Sequence, residues 1–226
     1  MSDTRPAGGN EGDWSGHLLR FDRFMSSFRC EPARTGIGSW APKGLEVDGF
    51  ADLMGRAAGC RFEQGLYRLH DARGAARADE LVAKAFPEFA RPSCFGVDWL
   101  GRQFALDVGR VEDSEPLVLM LEPGTGEALE ITASFVSFHD EELVDFVNEA
   151  LAREFFEQWA AVNSMLLPLA ADQCVGYRVP LFLGGTDDVS NLELIDLDVY
   201  WTLCGQLRHG VRRLPAGTTI GQLTIS

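Results

Sequence analysis

Four histidines, five cysteines and 34 carboxylates are the side chains of this chain with chemistry to offer. A zinc hydrolase would need two histidines one helical turn apart, so that both imidazoles reach one ion. His17, His70, His139 and His209 are widely separated, and no H-E-x-x-H run occurs. Cys30, Cys60, Cys94, Cys174 and Cys204 form no C-x-x-C pair, which predicts free thiols rather than a metal or redox centre. Cys94 could act as a nucleophile only if His139 approached it. Beside Phe95 it reads as a buried packing thiol, and His139 reads as cover for the first turn of a helix. No G-x-S-x-G, P-loop or G-x-G-x-x-G motif is present, and Lys43 and Lys84 are the only lysines. Asp187, Asp188, Asn191 and Glu193 lack the register that wraps a loop around calcium. The expectation is a protein that is not an enzyme and uses neither metal nor cofactor. The alternative is a small-ligand protein or enzyme with a pocket near Asp98, Trp99, Tyr177 and Trp201, although aromatic rings in strands and amphipathic helices more often fill a core.

Charge is the more informative pattern. The 226 residues carry a formal charge of −14, which repels nucleic acid and anionic membranes and favours a basic protein partner. Between residues 111 and 160 stand 13 acids and a single base, Arg153. Such a surface keeps a protein soluble, and it also steers a basic partner into contact. The candidate partner-binding residues are Glu112, Asp113, Glu141, Glu142, Asp145, Asp187 and Asp188.

The elements that would position these residues follow from periodicity. Residues 1–13 read as a mobile tail and 14–58 as a helical N-terminal region packed on a main domain spanning 59–226. In the first region, apolar spacing predicts helices over Trp14–Phe28 and Leu45–Ala58. Gly65–His70 alternates as a strand, and Ala75–Phe86 carries helix formers up to Pro87. Cys94–Trp99, Arg102–Val108, Pro116–Glu122 and Glu127–Ile131 are short apolar runs separated by glycine turns, which predicts an antiparallel meander. Asp140 stands where an N-cap belongs, ahead of the longest predicted helix, which runs to Pro168. After it come an apolar run over Tyr177–Leu183, a turn leading into a helix that Gly210 would stop, and a last strand at Thr218–Ile225. The fold class is α+β, an antiparallel central sheet flanked by helices. No secretory signal is visible in the first thirty residues, and with unpaired cysteines this points to the cytoplasm.

Three stretches carry a resemblance. They are Cys94-Phe95-Gly96-Val97-Asp98-Trp99-Leu100-Gly101-Arg102-Gln103-Phe104, then Leu119-Met120-Leu121-Glu122-Pro123-Gly124-Thr125-Gly126, and Gly176-Tyr177-Arg178-Val179-Pro180-Leu181-Phe182-Leu183-Gly184-Gly185 with Asn191-Leu192-Glu193 and Tyr200-Trp201. Over Gly59–Ile225 the chain resembles the bacterial family related to the C-terminal domain of type VI secretion DNase-immunity proteins, which often follows a GAD-like helical region and is similar in style to SUKH immunity proteins. The resemblance implies a non-catalytic α+β domain that binds and blocks a cognate secreted toxin, often a nuclease. Nuclease toxins are commonly basic because they must hold phosphates, which suits an acidic inhibitor.

Overall fold

The computed structural model describes residues 20–31, 40–42, 44–89 and 93–212. The predicted tail, the start of the first predicted helix and the strand at Thr218–Ile225 lie outside them. The predicted meander is present as β4 (Ser93–Asp98), β5 (Gln103–Glu112), β6 (Glu115–Glu122) and β7 (Glu127–Ser134). Three short strands, β1 (Cys30–Glu31), β2 (Arg61–Phe62) and β3 (Tyr67–Leu69), extend it to seven strands, each antiparallel to the next and arranged in chain order.

Register sorts the side chains onto two faces. Phe104 lies opposite Met120 and Leu106 opposite Val118, and these four share one apolar cluster with Phe95; Ala105, Leu119, Leu121 and Val97 point into another. The second face is covered by α3 (Ala72–Ala85) and α8 (Leu197–Arg212). Helix α3 buries Ala75, Ala78, Leu81, Val82 and Ala85, the spacing of one helical stripe, and Asp71 caps it by accepting from the Gly74 amide at 2.7 Å. The two helices approach closely at Gly205, where an added Cβ would lie 2.9 Å from that of Ala85.

The first face is covered by α1 (Asp22–Ser27), α2 (Phe50–Ala57) and the chain after β7. Each fully buried ring or aliphatic side chain here contributes on the order of 1.5–3 kcal/mol. Where one long helix from Asp140 is expected, the chain instead forms α4 (Phe135–Ser137), a wide π-type turn over 138–142, α5 (Leu143–Asp145), α6 (Val147–Leu151) and α7 (Arg153–Asn163). The break between α6 and α7 has a tertiary cause. The Ala150 and Leu151 carbonyls accept from Arg102 Nη2 at 3.0 Å and Trp99 Nε1 at 2.9 Å, and Ala152 adopts φ 51°. Asn148 Oδ1 then caps the restart by accepting from the Glu154 amide at 3.0 Å.

Three further expectations are corrected. The segment from Asp187 does not lead directly into a helix: β9 (Leu192–Asp196) intervenes and pairs with β8 (Gln173–Tyr177) as a second, two-stranded sheet. Helix α8 runs through Gly210 to Arg212, because Glu88 holds its last turns through Arg208 at 2.5 Å and Arg212 at 2.9 Å. The helix expected from Leu45 starts at Phe50, after Gly49 at φ 69°.

Candidate functional site

Asp98, Trp99, Tyr177 and Trp201 are all buried, Trp99 and Tyr177 in the apolar cluster on the first face of the sheet and Trp201 in the one on the second. Asp98 is fully buried and accepts from its neighbour Arg102, Nε at 2.5 Å and backbone amide at 2.9 Å. Burial holds its carboxyl above the ordinary range, and Arg102 offsets that rise only in part. Trp201 Nε1 donates to the Gly101 carbonyl at 2.7 Å, and the Tyr200 hydroxyl accepts from the Tyr177 amide at 3.2 Å. Between strands β8 and β9 and the sheet, the Val175 amide donates to the Trp99 carbonyl at 2.7 Å and Leu181 to Gly124 at 2.9 Å. Gly176 admits this packing: a Cβ there would meet the Tyr200 ring at 2.6 Å. The motifs at 94–104, 119–126, 176–185 and 200–201 thus converge on one structural junction.

Cys94 is fully buried, and burial beside Asp79 raises its thiol well above the ordinary value, so it packs rather than attacks. All five cysteines are free thiols. His139 does not cover an exposed helix start: it sits fully buried inside the wide turn, ringed by Phe21, Phe24, Phe95, Phe135 and Phe138. Its Nδ1 donates to the Phe135 carbonyl at 2.8 Å, and with the ring neutral Nε2 receives the Tyr67 hydroxyl at 3.1 Å. Desolvation lowers its pKa to about 3.

The acids are where the surface chemistry lies. Of the 13 between 111 and 160, nine are exposed, so the negative field faces solvent. Asp187 and Asp188 stand with Glu154 in a cleft of about 420 Å³ whose walls also include Asn148, Phe155 and Gln158. Tyr177 holds Asp187 there by donating its hydroxyl at 2.6 Å, and Asp188 accepts from the Ser190 amide at 2.8 Å. Glu141, Glu142 and Asp145 belong to the wide turn and α5, beside α1, where Asp145 pairs with Arg23 at 2.7 Å. Glu112 and Asp113 are exposed at the tip of the β5–β6 hairpin, with Asp113 at φ 49° and Ser114 at φ 71°. Periodicity missed Glu154, Asn148 and Gln158 as site residues, since they reach the cleft only because the helix breaks at Ala152. A larger groove of about 910 Å³, between Trp40, Leu45 and the alanine face of α3, holds none of the sequence-predicted residues. Among the described residues no three histidine, cysteine or carboxylate side chains are grouped to hold a metal ion.

The chain that forms the acidic cleft and the segment beside α1 has a recognisable family pattern. Residues 131–208 match the family of the T6SS immunity protein Tdi1, C-terminal region. The family resemblance is borne out over this segment, which is shorter than the stretch over which the sequence looked similar. Among solved structures, the crystal structure of Atu4351 from Agrobacterium tumefaciens shares the fold, with a TM-score of 0.52 at 15% identity over 82% of this chain and 88% of that one. No curated protein matches the chain. No helix among the described residues is long and apolar enough to cross a membrane.

Proposed function

We propose that this protein binds and neutralises a cognate secreted toxin with a basic surface, of the nuclease class, acting in the cytoplasm by occupation alone. The reading is carried by the match of residues 131–208 to a type VI immunity family, the segment that contains Glu141, Glu142, Asp145, Glu154, Asp187 and Asp188. A negative field meeting a phosphate-binding surface raises the encounter rate and makes it salt-dependent. The aromatic and ionic cluster around Asp98 gives the surface a rigid support rather than a reactive centre.

The test mixes the purified chain with the toxin encoded beside its gene and follows toxin activity against molar ratio at two ionic strengths. Loss of activity near equimolar protein, with association slowing as salt rises, is the expected outcome. Full toxin activity in the presence of excess protein overturns the reading.

A further inference from the structure

The seven-stranded sheet ends at β7, which among the described residues is bonded to β6 alone. Its sequence, Glu127-Ala128-Leu129-Glu130-Ile131-Thr132-Ala133-Ser134, contains neither proline nor lysine, two residues that commonly blunt a strand edge. Glu127, Leu129, Glu130 and Thr132 are exposed, Leu129 to 58%. Among the described residues no strand pairs with the outer backbone donors and acceptors of this eight-residue strand. A second copy of the chain would bring the same glutamates to the seam, where like charges oppose pairing. Of the bases beside the strand, Arg110 is engaged by Asp107 at 2.8 Å and reaches Glu130 at 3.8 Å, and Arg208 is engaged by the Gly126 carbonyl at 2.7 Å.

We infer that the edge of β7 with which no described strand pairs receives a basic extended segment of the partner protein as an eighth strand. Main-chain bonds supply the pairing, Glu127 and Glu130, on opposite faces of β7, select lysine or arginine on each face of the incoming strand, and Leu129, on the face of Glu127, contacts an apolar position. The inference rests on the toxin-binding reading and specifies how the partner is held.

Two synthetic octapeptides serve as probes, identical in their valines but with lysine in one and glutamate in the other at two adjacent pairs of positions, so that each face of the incoming strand carries both valine and charge. Amide hydrogen exchange of the full chain is followed with each. The lysine peptide is expected to slow exchange at 127–134 by about tenfold and the glutamate peptide to leave it unchanged; protection by both, by neither, or only elsewhere overturns the inference. Proline is then placed singly at Leu129 and at Glu130. Successive strand residues point their amides to opposite sides, so one proline strikes the β6 ladder and the other the free side. The variant that keeps its melting temperature is expected to lose neutralisation of the toxin. If it neutralises like the parent, the edge is not the interface while the immunity reading stands; if the parent itself does not neutralise, the immunity reading fails whatever the peptides do.

Discussion

Trp201 shows what a single side chain does here. It is 1% exposed, packs on Phe86 and anchors Gly101 through its indole N–H. Trp201→Ala should cost about 3–5 kcal/mol, the range for emptying a large aromatic site, read as a shift of the urea midpoint. His139 and His70 make stability depend on pH. Burial lowers them to about 3 and about 4 from an ordinary 6.5. Between those values and 6.5 the unfolded chain binds more protons than the folded one, so acidification through that window destabilises the protein. Below the folded values both states are protonated, and these two residues cause no further loss. Between about pH 6 and about pH 5 each histidine should contribute a slope approaching about 1.4 kcal/mol per unit. Denaturant unfolding across that range checks this, and His139→Gln should remove about half of the slope.

At the scale of elements, the cap of α1 comes from far along the chain. Phe21 begins the helix at φ 67° with no side-chain cap of its own, and Asp140 Oδ2 and Oδ1 accept from the Phe21 and Phe24 amides at 2.8 and 3.0 Å. Asp140 is thus a capping residue, as its type and its position after a turn suggest, but for a helix more than a hundred residues earlier. Asp140→Ala should cost about 1–2 kcal/mol and speed amide exchange in α1 more than in α3 or the meander. The same wide turn that aims Asp140 at α1 also delivers His139 to the aromatic core. No local sequence feature marks it: Phe135–Asn163 carries helical apolar spacing throughout, and the later break between α6 and α7 arises where Trp99 and Arg102 claim carbonyls.

For the whole molecule, packing governs integrity, and under the proposed function charge governs encounter. Asp145 and Asp187 already have partners in Arg23 and Tyr177, so the cleaner reversal is Glu141→Lys, Glu142→Lys and Glu154→Lys together. This variant should keep its melting temperature and slow association with the proposed basic toxin by about tenfold at low ionic strength, the effect shrinking as salt screens it. Stopped-flow rates at several salt concentrations check both parts. An unchanged low-salt rate would remove these acids from the interface.

Alternation and glycine turns by themselves determined the meander, because a period of two assigns each residue to a face whatever lies beyond the sheet. Cap and stripe likewise made α3 legible, and composition alone set the sign of the molecule's field. Tertiary structure decided where the helix after β7 breaks, which helix Asp140 caps, that Leu192–Asp196 pairs as a strand, and which acids share a cleft. Most of these depend on a donor or a ring arriving from a distant segment, such as Trp99 at Leu151 or Phe21 at Asp140, and local spacing carries no record of such arrivals.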